Sequence, residues 1–171
     1  MSYAIVYDSR TGNTEALARA VAAALPSEGR LAFGRVDEVD RAAVAQADRV
    51  YAGFWTNRGD CGDELAEVLA SLADKDVFLF GTAGFGADET YFAGVVARVA
   101  VHLPESARIV GTFMCQGRMP ASVRARYAQT AEAKPEQAAR MHQLIENFDE
   151  AASHPDDDDL ARLREAVQAA S

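Results

Sequence analysis

The chain has 171 residues, 49% hydrophobic and 25% charged, with 17 Lys and Arg against 26 Asp and Glu for a net charge of -9. That length suits one domain around one core, and no apolar run approaches the ~20 residues that cross a bilayer. The acidic balance excludes nucleic acid as the expected partner, since a phosphate backbone is gripped by clustered Lys and Arg; it serves solubility and allows docking to basic protein surfaces.

The polar start joins the first strand without a basic, then apolar, leader, so the expected location is cytoplasmic. Tyr3 to Asp8 reads as strand one, and a helix follows from about Thr14 to Leu25, its stripe Leu17, Val21 and Leu25 spaced by four and its end marked by Pro26 and Gly29. Strand two is Leu31 to Val36, a short helix covers Asp40 to Gln46, and strand three is Arg49 to Phe54. Asp63 to Ala73 reads as a helix with Leu65, Val68, Leu69 and Leu72 inward, followed by strand four, Val77 to Phe80. A helix over Glu89 to Leu103 carries Phe92, Val95, Val96 and Val99, and strand five runs from Ile109 to Met114 or Cys115. Strands alternating with helices imply a parallel sheet covered on both faces, with right-handed crossovers.

Beyond strand five the chain holds more helix than one cover needs. Ala121 to Gln129 and Pro135 to Asp149 read as two helices, the second with Met141, Leu144, Ile145 and Phe148 on its apolar face. His154-Pro155 breaks the chain, and Asp156 to Asp159 precede a terminal helix of about Leu160 to Ala170. Four aspartates at a helix start are capping chemistry, with a cation site as the alternative. Cys61 and Cys115 lie far apart without metal-ligand spacing and are expected to be free thiols.

The junction after strand one carries the chemistry. It reads Ser9-Arg10-Thr11-Gly12-Asn13-Thr14 and runs into a helix, whose first N–H groups lack intrahelical partners and carry a partial positive charge. The hydroxyls of Ser9, Thr11 and Thr14 and the Asn13 amide add donors, and Gly12 permits a close approach or a positive φ. The loop holds no lysine, which suits a phosphate monoester that stays put better than one to be transferred. The plain alternative is a strand-to-helix turn with Thr14 or Ser9 as N-cap.

The T-G-N-T sequence of this loop resembles the phosphate loop of flavodoxins, and over residues 1 to about 115 the chain is similar to that family, whose members bind FMN. The resemblance implies a flavodoxin-like three-layer α/β sandwich with a five-stranded parallel sheet of order 2-1-3-4-5. On this reading residues 1–171 form a single domain with a helical C-terminal extension from about residue 120. It places the FMN phosphate against Ser9, Arg10, Thr11, Gly12, Asn13 and Thr14, and the ring between the loops after strands three and four.

The first of those loops reads Gly53-Phe54-Trp55-Thr56-Asn57-Arg58-Gly59-Asp60 and holds the only tryptophan, which either stacks on the flavin or fills the core. Phe54, Trp55, Thr56, Asn57 and Gly59 are its candidate cofactor contacts. The second reads Gly81-Thr82-Ala83-Gly84-Phe85-Gly86-Ala87-Asp88, with Thr82, Ala83, Gly84, Phe85 and Gly86 as candidates, Phe85 against the other face. Many flavodoxins have a tyrosine and a G-x-G-D-like pattern here, and this chain has neither. Asp60, Asp63, Asp88 and Glu89 lie in or beside these loops, as do Arg10 and Arg58, and the sequence leaves open which sign faces the ring.

Met114 to Pro120 emerges at the same edge and is a candidate outer rim, with Gln116 either binding a substrate or partner or sitting in a plain turn. With residues 147–149 and 154–156, this segment resembles a subgroup of flavodoxin-like proteins associated with bacterial bilirubin reductases, which implies electron donation to tetrapyrrole reduction. His102, His142 and His154 lie on or beside helices away from the loops and are read as structural or solvated. The expected function is an FMN electron carrier between a reductase and an acceptor enzyme, a monomer or weak dimer with no catalytic residues of its own. The rival is an FMN-dependent NAD(P)H or quinone oxidoreductase. A phosphoacceptor signalling domain would need paired carboxylates after strand one and a lysine after strand five, and the chain offers Asp8 and Arg118.

Overall fold

A computed structural model describes residues 1–86 and 88–171. Five strands, β1 (Tyr3–Tyr7), β2 (Arg30–Arg35), β3 (Arg49–Trp55), β4 (Asp76–Ala83) and β5 (Arg108–Gln116), form one parallel sheet in the order β2-β1-β3-β4-β5. Between them run α1 (Asn13–Ala24), α2 (Arg41–Gln46), α3 (Asp63–Ala70) and α4 (Glu89–Ala100). After β5 come α5 (Ala121–Ala133), a single 3-10 turn, α6 (Ala138–Ala151) and α7 (Asp157–Ala169). The expected α/β sandwich and strand order are what the chain adopts.

Side-chain alternation along the strands separates the two faces. Ala4, Val6, Val50, Ala52, Phe54, Val77 and Leu79 point to the side covered by α2, α3 and α4. Tyr3, Ile5, Tyr7, Tyr51, Phe78 and Phe80 point to the other, where Leu17 and Val21 of α1 meet Leu163 and Val167 of α7. The terminal helix is thus part of the sandwich, while α5 and α6 pair with each other as a hairpin between β5 and α7. No residue of α5 is buried.

Several boundaries differ from expectation, and two of the differences have a visible cause. β4 continues through Gly81, Thr82 and Ala83, because β3 still pairs with it at Trp55 and β5 at Gln116. α3 stops at Ala70, where the Ser71 hydroxyl turns back to donate to the Val68 carbonyl at 2.6 Å. The aspartates before α7 do cap it: Asp156 Oδ1 accepts from Asp159 N at 2.9 Å and Asp159 Oδ2 from Asp156 N at 3.0 Å, a reciprocal box. Asp159 is also shared with His154 and Arg162.

At the opposite end of the sheet, Asp76 accepts from Arg108 at 2.8 and 2.7 Å and from the buried Arg49 at 3.3 Å. The Arg108 guanidinium, helped by Arg49, holds the Asp76 carboxyl below its ordinary range against the opposing effect of burial. A folded value below the unfolded one gives stability that is complete above pH ~4 and lost as pH falls through the folded value. Asp76→Asn is therefore expected to cost about 1–3 kcal/mol near neutral pH, since Arg49 loses its charged partner. Urea titrations of both proteins check this: the gap narrows in acid, where the wild-type carboxyl protonates.

Candidate functional site

The carboxyl ends of β1, β3 and β4 open into a crevice of about 740 Å³ at the point where the strand order reverses. A cavity of about 910 Å³ along the free edge of β5 contains none of the candidate FMN contacts, but Gln116 of the candidate rim lines it.

The loop between β1 and α1 forms the floor. Gly12 is the N-cap of α1 with φ of 86°, a backbone state that side-chained residues rarely hold, and a Cβ there would meet nothing within 4 Å. The helix start is therefore open in front of its unpaired N–H groups. Neither Ser9 nor Thr14 is the N-cap: Ser9 Oγ accepts from Glu15 N at 3.2 Å, deeper in the first turn. Arg35 anchors the loop from outside by donating to the Ser9 carbonyl at 2.9 Å. Thr14, fully buried, pairs its hydroxyl with that of Thr82 on β4 at 3.2 Å. Asn13 donates to the Arg118 carbonyl after β5 at 2.9 Å, while its Oδ1 is buried without a partner.

Trp55 closes β3 and forms one wall. Its Nε1 donates to Asp8 Oδ2 at 2.9 Å, which fixes the indole plane, and the Arg10 guanidinium lies 5.4 Å over the ring. The indole lines the crevice instead of joining either core cluster. Its neighbour Phe54 is wholly buried on the α3 and α4 face, so its side chain lies away from the crevice. Thr56 N donates to the Thr82 carbonyl at 2.8 Å, and Thr56 Oγ1 is buried without a partner. Asn57 and Asp60 close a tight turn by exchanging backbone hydrogen bonds at 2.7 and 3.0 Å around Arg58 (φ 52°) and Gly59.

The expectation that all three histidines lie away from the loops does not hold for His102: its Nε2 sits 3.0 Å from Asp60 Oδ1 in the loop after β3, because α4 ends beside that loop. Burial pushes the Asp60 carboxyl up, but the Cys61 N–H and the His102 ring outweigh it and leave it below its ordinary range. Burial, with Asp60 beside it, pushes the adjacent Cys61 thiol up to about 12. Burial raises Cys115 as well, and both cysteines are free thiols that stay protonated near neutrality.

The loop after β4 is held from outside. Asn147 of α6 donates to the Gly84 carbonyl at 2.8 Å, and its Oδ1 accepts from Gly86 N and from Gln116 Nε2, each at 3.3 Å. Gln116 thus serves the loop through Asn147. Phe85, 44% exposed, hangs over the crevice, and Ala87 lies outside the described residues. Asn147→Ala removes all three bonds, and amide exchange at Gly86 is expected to rise about tenfold, the effect of losing ~1–2 kcal/mol of local restraint. Hydrogen-exchange mass spectrometry of the segment after β4 measures it.

Of the predicted residues, Arg10, Thr11, Asn13, Trp55, Thr56, Gly59, Thr82, Ala83, Gly84 and Phe85 line the crevice, whereas the side chains of Ser9, Thr14 and Phe54 are turned to supporting contacts. Gly12, Asn57 and Gly86 shape the loops around it. The segment after β5 forms a wall as expected, through Gly117, Arg118, Met119 and Pro120. Sequence reasoning missed Tyr91 and Arg98 on α4 and Ser122, Val123 and Arg126 on α5. Helix periodicity shows which face of α4 is apolar, but nothing local says that α5 folds back over a crevice.

A parallel sheet with an open loop before α1 at its switch point and an aromatic wall above it defines a doubly wound α/β protein with a crevice at its strand ends. Residues 4–168 match the family model for the flavodoxin domain. The chain is 37% identical to the flavodoxin-like domain-containing protein BilS of Clostridium symbiosum (strain WAL-14163), across 96% of this chain and 93% of that one. Among solved structures it is similar to oxidised flavodoxin 2 from Bacillus cereus, with 18% identity, a TM-score of 0.57, and coverage of 99% of this chain and 97% of that one. A flavoprotein in complex with FMN from Lactobacillus acidophilus NCFM matches with a TM-score of 0.51 at 12% identity, over 66% of this chain and 92% of that one. The chain belongs to the flavodoxin family. It is a flavodoxin-like redox protein, and among the described residues no helix is long and apolar enough to cross a membrane.

Proposed function

We propose that the crevice binds FMN and that the protein passes electrons from a reductase to an acceptor enzyme. The observation that carries this reading is the pair of buried polar atoms without partners, Asn13 Oδ1 and Thr56 Oγ1, on residues that line a crevice beside an open helix N-terminus. Buried orphans of this kind cost about 1–3 kcal/mol each unless a ligand or water satisfies them; Asn13 Oδ1 needs a donor, which the hydroxyls and ring N–H of FMN would supply and its phosphate would not, and Thr56 Oγ1 takes either role.

The residues fit such a group. The first N–H groups of α1, with the Thr11 hydroxyl, face the position for a phosphate, and the absence of lysine from the loop matches an anion that is held and not transferred. Trp55, fixed by Asp8, presents a flat face on which a ring stacks, and Phe85 is placed to cover it from the other loop. Backbone groups of residues 82–85 line the crevice and would meet a polar ring edge, and Asn147 keeps that loop in place. When bound, the flavin supplies the one- and two-electron chemistry. The resemblance of the C-terminal segment to proteins associated with bacterial bilirubin reductases supports tetrapyrrole reduction as the acceptor's reaction.

The test is the visible spectrum of purified protein and its titration with FMN. A yellow protein, or a colourless one that takes up FMN at micromolar concentrations, is the expected result; refusal of FMN by folded protein overturns the reading. Rapid mixing with NADH or NADPH then separates carrier from oxidoreductase, since fast bleaching of the flavin by either nucleotide contradicts the carrier role.

A further inference from the structure

The mouth of the crevice carries the charge opposite to that of the molecule. Arg10, Arg58, Arg98, Arg118 and Arg126 line it, and among the described residues no Asp, Glu or Lys does, in a chain of net charge -9. They come from five places in the chain: the loops after β1, β3 and β5, and helices α4 and α5. All five are exposed, and none forms an ion pair among the described residues, where the paired arginines are Arg19, Arg35, Arg49, Arg108, Arg124 and Arg162. Three are held in place. Arg10 stacks over Trp55, Arg126 lies 5.8 Å over the Tyr127 ring, and Arg98 lays its guanidinium against Gly59, where a side chain would block it.

We infer that this mouth is the docking face for a redox protein that presents an acidic patch around its own redox centre. The inference rests on the proposal that the crevice holds a flavin, and it adds the chemistry of the partner. Whole-molecule charge would favour a basic partner, but charges more than about 8 Å apart are screened at physiological salt, so the local field sets the encounter. A protein fits better than a small anion because all five arginines are exposed and stand on five separate segments, whereas a small ligand is met by convergent buried donors. Phe85, Met119 and Val123 line the same crevice as the arginines. Arg, Met and aromatic residues with no Lys, Asp or Glu is the composition that protein interfaces favour at their cores.

Two measurements test it. Protein loaded with FMN and reduced by dithionite is mixed with ferricyanide, an anion, or with hexaammineruthenium(III), a cation; two ions of either each take one electron per reduced flavin. The ferricyanide rate is expected to fall about tenfold between about 0.01 M and about 0.3 M ionic strength while the ruthenium rate rises. Arg98→Gln/Arg118→Gln/Arg126→Gln flattens both slopes, each of the three single changes does so in part, and Arg30→Gln, the loss of one charge at the far end of the sheet, leaves them unchanged. In NMR titrations at low salt, an acidic 2Fe-2S ferredoxin shifts the amides of Arg98, Arg118 and Arg126, and basic cytochrome c does not. Slopes of the opposite sign, or shifts at this face from cytochrome c alone, overturn the inference. The ferricyanide slope without ferredoxin shifts overturns it in favour of a small anionic ligand. Folded protein that takes up no FMN overturns the flavin reading and this one together; uptake of FMN with any of the contrary results overturns the docking face alone.

Discussion

Trp55→Ala is expected to weaken FMN binding by about tenfold to a hundredfold while the protein stays folded. Stacking of a flat base on an aromatic side chain is worth ~1–3 kcal/mol, and each ~1.4 kcal/mol is a factor of ten in affinity. The indole stands outside both core clusters, so its removal leaves little cavity behind. Asp8 supplies the second half of the argument, since its carboxylate fixes the indole through Nε1 at 2.9 Å. Asp8→Asn keeps an acceptor there and should bind FMN nearly as well as wild type; Asp8→Ala frees the ring and should fall between wild type and Trp55→Ala. Flavin fluorescence titrations, with urea midpoints to confirm folding, measure the series. Unchanged affinity in Trp55→Ala would show that the indole does not lie against the ring.

Gly53→Ala is expected to destabilise the protein by about 3 kcal/mol, lowering the melting temperature by roughly 6–12 °C for a chain of this size. Gly53 lies in β3 between β1 and β4, and an added Cβ would overlap the Phe80 ring and come within 3.0 Å of Tyr7 Cβ. Phe80 is fully buried in the cluster beneath α1 and α7, so neither the ring nor the strand has room to retreat. Gly53→Ala/Phe80→Leu should recover part of the loss relative to the two single changes, because the smaller side chain vacates the overlapped volume. A double-mutant cycle by thermal unfolding reads this coupling. A loss below ~1 kcal/mol in Gly53→Ala would mean that the sheet relaxes around the new methyl group.

Much of the architecture was legible along the chain because it depends on local pattern. The stripe of Leu17 and Val21, the run of Leu65, Val68 and Leu69 and the apolar strands each state their own period and their own buried face. The loop of residues 9–14 was legible for the same reason, since an open helix start needs a Gly at the turn and short polar neighbours. Less legible were features that depend on what comes to lie beside a segment. Gly81, Thr82 and Ala83 read as loop and are strand, because pairing on both sides outweighs the weak strand preference of Gly81 and Ala83. His102 read as remote and touches Asp60, because the end of α4 passes the loop after β3.

By itself, the sequence determined the alternation of strands and helices and the place of the open loop before α1, since each is written in spacings of a few residues. Only the tertiary structure decided the sign of the charge at the crevice. The acids near the loops in sequence are spent elsewhere: Asp60 faces His102, Asp88 caps α4 and Asp8 holds Trp55. Arginines up to 116 positions apart, from Arg10 to Arg126, meet at one mouth, because a parallel sheet gathers its strand ends while a helical hairpin folds back over them. Electrostatic energy depends on distance in space, and no reading of neighbours along a chain reports that.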